Sequence, residues 1–262
     1  MKNLRKVMLV ASVFALFALF LLACDVENQQ TAIQPETSAI FQGVELYTDL
    51  GQKHNDELNS WFNLNKNNLR GKDVDSRLRL VDTYFLDKYS INTSDIKYRI
   101  FNATGINPNS KLAEQEIDFD PFLYLEANKS EIQPETYKFL TEFFTRTGEL
   151  DNLENELAYL EQLENDVISS TSISIYDKNG IRNLIIVYKA SAEYWSANLD
   201  QWLAAYKDSP NGRITGIADE DYQKIVWADV VEGIAGGLLA GPLGALVGLT
   251  AGSITMAIGV YE

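Results

Sequence analysis

From Gly233 to Tyr261, 29 residues carry no charged side chain and hold eight of the chain's 16 glycines. Gly233, Gly237 and Gly241 step by four, and so do Gly244, Gly248 and Gly252, which puts each trio along one face of a helix. A glycine inside an exposed helix costs about 1 kcal/mol relative to alanine, so this density requires another surface to close on the bare face. Pro242 cannot continue the backbone ladder, and the pattern predicts a helical hairpin with arms at 219–240 and 243–259. The second arm would be about 26 Å long, slightly less than a ~30 Å hydrocarbon core. Trp227 and Tyr261 flank the apolar stretch as interfacial anchors would, but no Lys or Arg follows Lys224. Three readings stay open: the arms pack inside the body, they enter a bilayer or join copies of the chain, or they form a removable or disordered tail.

The region before the tail reads as an acidic helical body, residues 44–218. Leu46, Leu50, Leu58, Trp61, Phe62, Leu64 and Leu69, then Val74, Leu78, Val81, Phe85 and Tyr89, fit two helices separated near Gly71. Residues 91–121 are rich in turn formers and read mostly as loop, with 96–100 as a possible short strand. Ser130 and Gln133 have capping-box spacing ahead of Pro134, predicting a helix over 130–146 ended by Gly148. Leu150, Leu153, Leu157, Leu160 and Val167 predict another. Ile181, Leu184, Ile185, Tyr188, Ala192, Trp195, Leu199, Trp202, Leu203 and Tyr206 predict a long core helix, against a competing hairpin around residues 177–180. The fold class that follows is mostly α, an irregular helical bundle with a C-terminal glycine-rich helical hairpin.

The N-terminus has a basic start, Lys2, Arg5 and Lys6, an uncharged apolar run over 7–23, and the chain's single cysteine, Cys24. That arrangement is a secretory signal. Leu21, Leu22, Ala23 and Cys24 resemble the lipobox of bacterial lipoproteins, which implies cleavage before Cys24 and acylation of its sulfur; Leu22 departs from the commoner Ala, Ser or Thr. The domains expected are then a signal peptide at 1–23, a lipidated flexible stalk at 24–43, the body at 44–218 and the hairpin at 219–262. An uncleaved transmembrane anchor is the alternative. The resemblance implies a membrane-anchored, extracytoplasmic location in the cell envelope. The tail is similar to glycine-zipper segments of outer-envelope proteins, more loosely to the Gly/Ala-rich parts of class II bacteriocins, and to the ends of lipoproteins of the Bacteroidota type. It transfers no functional residue.

Chemistry is sparse. A formal net charge of -15 repels a nucleic-acid backbone, and one cysteine and one histidine exclude Cys-based zinc clusters and multi-His metal sites. Neither a hydrolase elbow, a zinc-protease motif, a P-loop nor a dinucleotide fingerprint is present. His54, followed by Asn55 and Asp56, is expected to be a solvated surface residue. Asp118 and Asp120, with Glu114 and Glu116 before them, form the best carboxylate pair, but 37 acids make such neighbours common by chance. Residues 177–180 and 208–212 have turn chemistry without the alternating ligands of a calcium loop. The expectation is a non-enzymatic binding or structural protein with no cofactor or metal, attached to a membrane through its lipid, with self-association or bilayer contact through the tail as the alternative.

Overall fold

Helices follow the apolar stripes in the computed structural model, which describes residues 35–93, 120–149, 152–206 and 219–260. In order they are α1 (Leu50–Asn65), α2 (Val74–Tyr89), α3 (Pro121–Ala127), α4 (Pro134–Glu149), α5 (Leu153–Ser169), α6 (Ile175–Tyr206) and α7 (Asp219–Val260), with 3-10 turns at Ala39–Phe41, Lys66–Asn68 and Lys129–Glu131. The chain divides into Met1–Pro35 and a unit of residues Glu36–Glu262. Among the described residues that unit contains no strand, so it is a mostly-α bundle. Local chemistry sets several boundaries. Asp73 and Asn152 each accept the backbone N–H three residues on, at 2.7 and 2.9 Å, and Gly71 at φ 70° reverses the chain between α1 and α2.

α6 is the axis. Residues 177–180 are helical, which settles the choice between hairpin and helix in favour of helix. α1 lies alongside it in the same direction: the Asn55 amide donates to Ala190 O, Tyr194 Oη donates to Asn59, and Phe62 stacks on Trp202 at 4.6 Å. The approach is close because Gly51 has no side chain; a Cβ there would stand 2.6 Å from Ala190 Cβ. Trp61, Trp195 and Trp202 are fully buried, with centroids 5.6 Å (61–202) and 4.9 Å (195–202) apart. The aromatic stripe is therefore core packing.

α7 doubles back. It is helical from Asp219 to Val260, yet Asp229 is hydrogen-bonded to Ser253, and a Cβ on Gly233 would overlap the Leu249 side chain. Twenty-four residues of straight helix would hold Asp229 and Ser253 about 36 Å apart, so the chain reverses between them. Both pairs are centred on position 241, beside Pro242, as the hairpin expectation requires. The closing surface at Gly233 is a leucine side chain from the opposite arm. Gly244, Gly248 and Gly252 are buried, and the surroundings of Gly237 and Gly241 lie outside the described residues. Ile225, Val226, Val230, Val247 and Ile254 of the two arms are buried in the common core. No helix among the described residues is long and apolar enough to cross a membrane.

Two expectations need correction. The stalk does not extend to 43: Ser38, Ile40 and Phe41 are buried, and the Phe41 ring fills the space beside Gly180. The polar stretch leading into these residues has too little apolar surface to fold alone, and α6 supplies the partner surface. α4 begins at Pro134, not at Ser130, which sits in a 3-10 turn. The Gln133 N–H donates to Ser38 Oγ at 2.9 Å, so a residue 95 positions away replaces the local capping box. Residues 94–119, including the possible strand, and 207–218 lie outside the described residues; α3 appears where the sequence pattern gave only a loop ending at Pro121.

Because the arms supply core residues, a chain ending at Ile225 is expected to lose its cooperative thermal transition by circular dichroism, whereas a dispensable tail would leave the melting curve of the remainder unchanged.

Candidate functional site

α1 buries Leu50, Gly51, His54, Glu57, Leu58, Trp61, Phe62 and Asn65, a stripe at three- and four-residue steps. His54 falls on that stripe and is fully buried, contrary to the expectation of a solvated surface residue. Its polar sequence neighbours, Asn55 and Asp56, concealed a position that the spacing of Leu50, Leu58 and Trp61 marks as internal.

The ring meets a polar cluster built from three helices. Asn55 donates to Ala190 O at 3.0 Å, which turns its oxygen toward His54 Nδ1 at 2.9 Å and makes Nδ1 the donor. On the other side, Nε2 stands 3.3 Å from Asp229 Oδ2, off the line of a hydrogen bond. Asp229 also accepts from Ser191 of α6 and Ser253 of the opposite arm of α7, and Trp195 Nε1 donates to Ser253 Oγ at 3.1 Å. His54, Ser191, Trp195, Asp229 and Ser253 are all 0% exposed.

Histidine, aspartate and serine together invite comparison with a hydrolytic triad. That chemistry needs a serine hydroxyl given to the imidazole and an open face for substrate. Here both serines donate to the carboxylate, Nδ1 is engaged by Asn55, and the cluster is closed. Its capability is structural: one buried acid ties α1, α6 and both arms of α7 together. Sequence reasoning missed Asp229 as well, although an acid beside Ile225, Val226, Val230 and Val231 is itself a signal of a partnered internal charge.

Three further acids are buried at helix contacts. Glu57 accepts from Tyr84 (2.8 Å), Tyr89 (2.6 Å) and Lys88 (2.7 Å); burial raises its carboxyl, but the bonds from Lys88, Tyr89 and Tyr84 outweigh it and hold it below the usual range. Asp177 receives the Ser38 N–H at 3.0 Å and the Thr136 hydroxyl at 2.9 Å; burial still pushes its carboxyl up. Glu156, between α5 and α6, receives Tyr188 Oη at 3.2 Å, and burial pushes it up to about 7 despite that bond.

Asp120 caps α3 through the Phe122 N–H at 2.8 Å, and Asp118, Glu114, Glu116 and residues 208–212 lie outside the described residues. Asp177 starts a helix instead of a cation-binding turn. No group of His, Cys, Asp and Glu among the described residues could hold a metal ion. A cavity of about 350 Å³ is lined by Phe62, Lys66, Arg70 and Gln201, and one of about 290 Å³ by Leu64, Leu80, Tyr84 and Lys88; neither lining includes His54 or Asp229. Comparison with protein-family models, curated proteins and solved structures finds no match.

Asp229→Ala leaves the buried Ser191 and Ser253 hydroxyls without their acceptor, and a loss of about 3–5 kcal/mol is expected in urea unfolding. Glu156 gives a pH test. Its folded pKa of about 7 lies above the unfolded carboxylate value, so the folded state binds the extra proton between them and stability falls as pH rises through that window. Glu156→Gln is expected to melt above the parent chain at pH 8, with the difference vanishing near pH 4.

Proposed function

We propose that this chain is a lipid-anchored cell-envelope protein, fixed to a membrane by acyl groups on Cys24, whose helical body serves without catalysis as a binding or structural module. The observation that carries the reading is the sequence Leu21-Leu22-Ala23-Cys24 at the end of an apolar run, with the chain's only thiol placed where acylation would consume it. Each buried methylene contributes about 0.8 kcal/mol, so two or three chains give firm attachment. The closed polar cluster supports the non-catalytic part, since its serines serve Asp229 and none is presented to a substrate.

The rival reading has the glycine-rich arms leave the body to insert in a bilayer or join other copies. To do so they would have to withdraw Asp229 and Ser253 from His54, Ser191 and Trp195, and expose Val230, Val247 and Ile254. The cost of breaking that network favours the anchored module over the insertion mechanism.

Cys24→Ser, expressed with the native leader, is expected to move the protein from the membrane fraction to the soluble fraction, while the parent chain carries added acyl mass on its N-terminal residue. An unmodified Cys24 in protein released freely from cells would overturn the reading.

A further inference from the structure

We propose that the end of the bundle where the chain enters α6 faces the lipid bilayer, with Ile168, Ile175 and Tyr176 seated in the interfacial region. The proposal rests on the lipid-anchor reading of Cys24 and adds an orientation to it.

The contacts of residues 38–45 define that end. Ser38 is fixed to Asp177 and to Gln133, and the chain then runs along α6, with Val44 O accepting from Asn179 and Glu45 O from Asn183. Among the described residues, Glu36 and Ser38 make the earliest of these contacts, on Gln133 and Asp177, beside the first turn of α6. At the same turn Ile175 is 61% exposed and Tyr176 42%, and Ile168, at the end of α5, is 47% exposed. Lys178 donates to Ile168 O at 2.9 Å, holding an ammonium beside the patch. Exposed aliphatic side chains with a tyrosine and a lysine next to them match the amphipathic chemistry of a membrane interface.

The hairpin points the same way. Ser253 meets Trp195 and Leu246 packs with Val187, so the second arm of α7 runs parallel to α6, and Leu243, 42% exposed, lies one turn nearer that end.

Chain length makes the orientation specific. Residues 25–37 span at most about 45 Å when fully extended. Phe62, which stacks on Trp202, marks the opposite end of α6, about 40 Å from Ile175 along the helix. Presenting that far end to the bilayer would need almost the whole tether stretched back along the body.

The test uses the full lipidated chain with one introduced thiol, at Ile168→Cys, Ile175→Cys or Leu64→Cys, labelled with an environment-sensitive fluorophore. Leu64 is 64% exposed and is the far-end control. The protein is reconstituted in phosphatidylethanolamine–phosphatidylglycerol vesicles containing a lipid with a nitroxide near its headgroup, and Cys24 is weighed by mass spectrometry. The expected result is acylated Cys24 with quenching at positions 168 and 175 about twofold or more above that at 64. Acylated Cys24 with equal quenching at all three positions would overturn the orientation and leave the anchor standing. Unmodified Cys24 would overturn the anchor and the orientation with it.

Discussion

Asp229 is the constraint on which the arrangement of the bundle turns. A carboxylate with no exposure to water is costly by several kcal/mol unless donors surround it, and here they come from separate elements, Ser191 on α6 and Ser253 on the far arm of α7, with the His54 ring of α1 packed beside it. Satisfying that one group fixes which face of each helix looks inward. It also sets the register of the hairpin, because the Asp229–Ser253 pairing and the seating of Leu249 against Gly233 share the same centre. The glycines make close packing of the arms possible. The acid selects one alignment among the several that a smooth glycine surface would permit.

The same device recurs at the other contacts. Glu57 joins α1 to α2, Asp177 joins the Ser38 segment and α4 to α6, and Glu156 joins α5 to α6. A chain with 37 acids against 22 basic residues uses tyrosine, serine and threonine hydroxyls, with backbone N–H groups, as the partners of its internal carboxylates. Of these four described acids, only Glu57 has a lysine as well. The consequence for titration follows: where a cation and two phenols gather the carboxyl stays low, and where a single phenol serves it, as at Glu156, burial wins.

Much of this was legible in the sequence because it is periodic. The long helix from Ile181 to Tyr206 is read directly from its apolar steps, and the reversal at Pro242 from the lack of a backbone donor between two glycine trios. Polar residues inside were not legible on the same basis. His54 was assigned to the surface from its neighbours Asn55 and Asp56, although its own spacing from Leu50 and Leu58 places it within; a residue type outweighed a position. Ser130 and Gln133 satisfied a local capping rule, but a hydroxyl from Ser38 reached Gln133 instead. No rule restricted to neighbouring residues can register a donor 95 positions away.

The sequence by itself determined the helical class and the hairpin, because each depends on steps of three or four residues or on proline's missing N–H. Only the tertiary structure decided what the glycine-rich arms rest against and what the lone histidine faces. Those outcomes depend on which distant groups are available to a buried carboxylate and which cavity a leucine can fill, and such pairings exist only after the helices have been brought together.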